Sequence, residues 1–282
     1  LISNGHGEDL IALKIIEALR NQRPQLILKV LPLVGTGGSF QSAMEKGWVQ
    51  RVGPSAPLPS GGFSNQSLRG LFADVIAGLP LLTWQQWRCL RKQRAEVDAV
   101  LAVGDLLPLL MAWSSGRPFG FVGTPKSDYT WCSGPGRDLS DHYHALKRSE
   151  WDPWEWLLMR HKRCHLVITR DRLTARGLRR HGVRAEAPGN PMMDGLSNAT
   201  APASLSRCRR ILLLCGSRMP EAERNFSRLL HALAPLPSDR PIAVLVALGS
   251  TPELSNLGAE LKRQGFRSSP PPSDALQAGA CW

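Results

Sequence analysis

Apolar and polar positions alternate along the chain with two periods. Leu1-Ile2-Ser3 reads as the tail of a strand and leads into the turn Asn4-Gly5-His6-Gly7. Ile11, Ala12, Ile15, Ile16 and Leu19 then fall on one face of a helix. Glu8 and Asp9 stand in its first turn, where the helix dipole favours acids. Leu26 to Leu31 predicts a second strand, followed by Gly35-Thr36-Gly37-Gly38 and a short helix reaching about Lys46. Further strands are predicted at Ala99 to Val103, Phe119 to Val122 and Leu166 to Thr169. Helices are predicted at Trp84 to Arg94 and from Asp171 to about His181.

Strands alternating with helices imply an α/β fold with mainly parallel sheets. The polar, proline-bearing residues 197–207 read as a linker. They divide residues 1–196, a Rossmann-like doubly wound domain, from a second α/β domain over residues 208–282. That second domain holds strands Ile211 to Leu214 and Ile242 to Leu248 and helices Glu221 to Ala234 and Glu253 to Gln264. Two strands and two helices make it incomplete, and the leading Leu1 reads as a clipped start. The Pro-, Gly- and Ser-rich stretch Gly53 to Gly70 predicts an exposed loop.

Charge narrows the partners. Thirty-five Lys and Arg against 23 Asp and Glu give +12, which favours nucleic acid, anionic headgroups or phosphorylated small molecules. No nucleic-acid motif accompanies the basic residues. The six cysteines form no CxxC pair and no Cys/His set with zinc spacing, so they read as small buried hydrophobes of a reducing, cytoplasmic compartment. The most apolar stretch, Val97 to Trp113, is broken by Asp98, Gly104, Asp105 and Pro108, too often for a membrane span.

Four groups of residues could carry chemistry. His6 in the glycine turn and Asp105 after a later strand both fall where ligands bind in open parallel sheets. Joined as a dyad, the imidazole could deprotonate a hydroxyl while the carboxylate fixes its tautomer. Equally, His6 could cap a helix and Asp105 satisfy loop amides. Gly216, Ser217 and Arg218 follow a strand and precede a helix, an arrangement suited to a diphosphate or to a solvated surface turn. Asn190, Pro191 and Asp194, in Gly189-Asn190-Pro191-Met192-Met193-Asp194, mark a turn at the domain junction. Trp84, Trp87, Arg88, Arg91, Lys92 and Arg94, and the second group Trp151, Trp154, Trp156, Arg160, Lys162 and Arg163, suit a membrane interface or a buried indole with a solvated basic edge. Burial is the expectation for Trp84.

Seven segments in order are similar to lipid-A-disaccharide synthase and, more closely, to the lipid-A-disaccharide-synthase-related proteins: SNGHGEDLIA, VGTGGSFQSAMEKG, DAVLAVGD, FVGTPKSDYTW, CHLVITRD, APGNPMMDGL and ILLLCGSRMPEAE. The resemblance implies a GT-B architecture of two Rossmann-like domains. It also implies an inverting, metal-independent transfer from a UDP-sugar of N-acetylglucosamine type to a lipid or glycolipid acceptor, with no cofactor beyond that co-substrate. In its terms Asp105 and Asp9 are catalytic positions beside His6, with Gly5 and Gly7 framing the turn. Arg218 meets the donor diphosphate, and Glu221 and Glu223 follow in the same pattern. Asn190 stands where the synthase has histidine. The rival readings are a UDP-sugar isomerase of the same fold and a noncatalytic protein at the membrane periphery.

Overall fold

The structure is a computed structural model. It describes residues 1–58, 68–132, 139–194, 196, 205–216, 219, 221–233, 235–236, 241–247 and 254–266. The chain divides into two compact units, Leu1–Gly195 and Leu196–Trp282.

The first unit runs β1 (Ile2–Ser3), α1 (His6–Gln22), β2 (Leu28–Pro32), α2 (Gln41–Glu45), β3 (Val49–Arg51), α3 (Leu68–Ile76), α4 (Leu79–Gln93), β4 (Val100–Gly104) and α5 (Leu106–Ser114). It continues with β5 (Phe119–Gly123), α6 (Tyr129–Cys132), α7 (Leu139–Lys147), α8 (Pro153–Met159), β6 (Cys164–Thr169), α9 (Arg172–Arg180) and β7 (Ala185–Glu186). Seven parallel strands pair in the order β3-β2-β1-β4-β5-β6-β7. The order reverses between β1 and β4, and a crevice opens beyond the strand ends at such a switch point.

Apolar residues on both faces of these strands are what a parallel sheet between two helical layers requires. On one face Ile2, Ala102, Phe121 and Val167 pack with Leu90, Leu109 and Leu178 of α4, α5 and α9. On the other, Val30, Val103 and Val122 pack with Ala12 and Ile16 of α1 and Ala43 of α2. The unit is therefore α/β and doubly wound, as its sequence pattern implies. The short strands β3 and β7 were not anticipated; two or three residues are too few to show a period.

In the second unit β8 (Arg209–Leu213) pairs in parallel with β9 (Ile242–Val246). Phe226 and Leu230 of α10 (Glu221–Leu233) and Leu257 of α11 (Leu254–Arg263) enclose a core with Leu213. This unit too is α/β with a parallel pair. Half of the predicted loop, 59–67, and most of the linker, 197–204, fall outside the described residues; in the rest of the loop Leu58 is buried rather than exposed, and α3 already begins at Leu68.

Two expectations about burial are corrected. Trp84 is 49% exposed rather than buried. The reason is Gln86: its side-chain amide donates to the Leu33 carbonyl at 2.7 Å and the Pro54 carbonyl at 3.1 Å, so α4 buries that polar position and Leu90 and turns Trp84 outward. Among the described cysteines, all free, Cys132 is exposed, while Cys215 alone is fully buried. No helix among the described residues is long and apolar enough to cross a membrane.

Candidate active site at the switch point

All seven strands run in one direction, so the residues that follow them gather along one edge of the sheet. Asn4 follows β1, Asp105 follows β4, Thr124 follows β5 and Arg170 follows β6. Asn4 Nδ2 donates to Asp105 Oδ1 at 3.0 Å across the switch point. The same oxygen accepts the Leu107 amide at 3.2 Å, making Asp105 the N-cap of α5. Burial pushes the Asp105 carboxyl above the usual aspartate range, while the Leu107 amide, the nearby Lys126 ammonium and Asn4 pull it back.

Gly5 and Gly104 make this approach possible. Gly5, the N-cap of α1, lies at φ 113° and ψ 174°, a region open to glycine. Gly104 has φ 137°, and a Cβ there would stand 3.1 Å from Pro108 Cγ, 3.3 Å from Asn4 Cβ and 3.4 Å from Glu8 Cγ. Its bare backbone lets α1 and α5 start side by side.

His6 and Asp105 share no hydrogen bond and take different partners. The Gly5 turn sends Asn4 toward β4 and leaves His6 exposed at the first position of α1, on the side of the loop after β2. There His6 Nδ1 contacts Ser39 Oγ at 3.1 Å. The carboxylate that interacts electrostatically with His6 is Asp9. Asp9 is buried and accepts the Ser3 hydroxyl at 2.5 Å. Burial raises its carboxyl to about 6, opposed by Ser3, His6 and Arg51. Glu8 is buried beside them and accepts from Thr124 Oγ1 at 3.3 Å. Burial is the main cause of its raised pKa, and the neighbouring Asp105 and Asp9 add to it. The acidic first turn thus does more than complement a dipole: it lines the switch point.

Asn190 and Pro191 reach the same edge. With Met192 they face Ile11, Thr124 and Arg170 around a cavity of about 70 Å³. Asn190 Oδ1 accepts the Met192 amide at 3.1 Å, a local turn contact, and Asp194 is exposed. Gly7 has open space where a side chain would stand. A larger hollow of about 920 Å³ lies at the opposite edge, where Leu28, Val100 and Phe119 begin their strands. The polar side chains converge at the other edge, so the chemistry is assigned there.

In the second unit Gly216 has φ 88°, and Glu221 opens α10. Glu223 Oε1 accepts from Asn256 Nδ2 at 3.0 Å. Ser217 and Arg218 lie outside the described residues. Among the described residues, no three His, Cys, Asp or Glu side chains are grouped to hold a metal ion.

Sequence reasoning missed Asn4, Ser39 and Thr124. Asn4 and Thr124 obey the rule that singled out Asp105, since each is the first residue past a strand. Ser39 carries no comparable signal, because its approach to His6 depends on how the loop after β2 folds.

No family model and no curated protein matches this chain. Among solved structures, a similar one is the crystal structure of a ugt transferase from Siraitia grosvenorii in complex with UDP. It is 15% identical, the match covers 93% of this chain and 70% of that chain, and the TM-score is 0.45. A likeness of that degree transfers neither ligand nor activity.

Proposed function

We propose that this protein transfers a sugar, with inversion and without a metal, from a UDP-sugar to a hydroxyl of a lipid-linked acceptor. The observation that carries the reading is His6, held through Nδ1 by Ser39 at the switch-point edge with the buried Asp9 nearby. If Nδ1–H donates to Ser39 Oγ, Nε2 keeps its lone pair and can serve as base. The acceptor hydroxyl gives its proton to His6 Nε2, and its oxygen bonds to the anomeric carbon. The bond from that carbon to UDP breaks, and UDP leaves with the electron pair. Asp9 stabilises the imidazolium that forms, the role first considered for Asp105. Asp105, fixed by Asn4, orients the acceptor. Within the second unit, Gly216, Ser217 and Arg218 ahead of α10 are the residues whose chemistry suits a donor diphosphate. The resemblance of seven segments to the lipid-A-disaccharide-synthase-related proteins supports the donor class and a lipid-linked acceptor.

The test is His6→Ala in the full chain, with UDP binding followed by calorimetry and transfer followed with UDP-N-acetylglucosamine and a glycolipid acceptor. UDP affinity is expected within about twofold of the parent, and transfer to fall roughly 10²- to 10⁴-fold, the usual worth of a positioned base. Undiminished transfer removes His6 from the mechanism; absence of UDP binding in the parent chain removes the nucleotide-sugar reading.

A further inference from the structure

Helices α3 and α4, next to one another in sequence and in contact, turn a large apolar surface outward. Phe72 and Ile76 are 71% and 77% exposed, and Val75 lies between them on the same helical face. In α4, Leu81, Trp84, Arg88 and Arg91 recur every three or four residues, the spacing of a single stripe, with Trp87 at its border. Leu81 is 58% exposed. Isolated exposed apolar residues need no explanation, but a run of six on two adjoining helices does.

The charges beside this surface point to its occupant. Arg88 lies 4.7 Å over the Trp84 ring and Arg91 lies 5.8 Å over the Trp87 ring. Lys92 is exposed as well, whereas Asp74, the one acidic residue between Leu68 and Gln93, is fully buried. A protein partner or a second copy would have to cover these cations with carboxylates, and this surface presents none to a copy of itself. A bilayer supplies both halves of the complement. Indole rings settle at headgroup depth, guanidinium groups meet lipid phosphates, and aliphatic side chains enter the acyl boundary.

We infer that α3 and α4 form a docking element that rests in the surface of a bilayer containing anionic lipid. The inference rests on the reading of the acceptor as lipid-linked and gives that reading a surface at which to meet the lipid.

The full chain would be sedimented with vesicles of phosphatidylcholine alone and with vesicles containing phosphatidylglycerol, at low and high salt. Binding is expected to the phosphatidylglycerol vesicles, weakened by salt, and at least tenfold weaker in both Trp84→Ser/Trp87→Ser and Phe72→Ser/Ile76→Ser. Vesicle binding equal to the parent in both folded double variants overturns the inference, as does a parent chain that binds no vesicles. Vesicles of brominated lipid keep the test independent of variants: they should quench the parent's tryptophan fluorescence, and no quenching overturns it. Self-association that both double variants abolish, in a chain that ignores vesicles, would assign the surface to a second copy instead. A parent chain that binds UDP but no vesicles sinks the docking element and leaves sugar transfer standing; one that binds vesicles but not UDP does the reverse.

Discussion

Asn4 Nδ2 reaches Asp105 Oδ1 at 3.0 Å and ties the end of β1 to the end of β4. The bond spans 101 positions of sequence and joins the two strands where the sheet reverses its order. Asp105 is therefore the cap of α5 and, in the proposed reaction, the carboxylate that orients the acceptor, and substitution can separate the two.

Asp105→Asn keeps an oxygen that can accept from the Leu107 amide, whereas Asp105→Ala removes it. The alanine variant should lose about 1 kcal/mol of stability, the usual cost of an N-cap, and the asparagine variant less than half of that. Both should lose transfer if the carboxylate orients the acceptor. Denaturant unfolding beside a transfer assay distinguishes the effects; full activity in the asparagine variant would confine Asp105 to capping.

Gly104→Ala places a Cβ against Pro108, Asn4 and Glu8 in a backbone conformation that L residues avoid. Strain and overpacking together should cost about 2–4 kcal/mol. A melting temperature within a degree of the parent would show that the strand end relaxes freely.

Asp9 couples stability to pH. Burial raises its folded carboxyl to about 6, above the ordinary aspartate value of about 4, so the folded chain holds this proton more tightly than the unfolded chain. The stability it contributes is present in acid and lost as pH rises from about 4 to about 6, a change of up to ~3 kcal/mol. Asp9→Asn keeps an acceptor for Ser3 and removes the titration. At pH 7 it should therefore be the more stable protein, with a flatter dependence between those limits. Urea unfolding across the range checks this, and parallel curves for the two proteins would refute it.

Lys126 Nζ lies 2.6 Å from Glu155 Oε2, and the Glu155 side chain is fully buried. Lys126→Met leaves that carboxylate without its cation and should cost roughly 3–5 kcal/mol. Adding Glu155→Leu should recover most of the loss, because the pair's desolvation cost disappears with it. Independent, additive losses in the double variant would mean that the two side chains do not act together.

The fold was legible where the pattern was long. Val100 to Gly104 and Phe119 to Gly123 are apolar runs closed by glycine, and each is a central strand. The place of Asp105 directly past a buried strand was legible, and so was the reading that it satisfies backbone amides, which it does as the N-cap of α5. The partner of His6 was not. Two groups can satisfy the same sequence rule and still face different neighbours, and here one glycine decides which. Trp84 was misread for a related reason: an indole looks like core until a buried glutamine, Gln86, fixes which way the helix turns.

Gly5 adds a further consequence. By turning the chain sharply within one residue, it directs the side chain before it to the end of β4 and the side chain after it to the loop that follows β2. The grip on Asp105 and the exposed imidazole can then be retuned separately, since exchanging Asn4 or His6 need not disturb the other. A residue with a Cβ would be strained at this bend, so relaxing the backbone there would move both side chains at once.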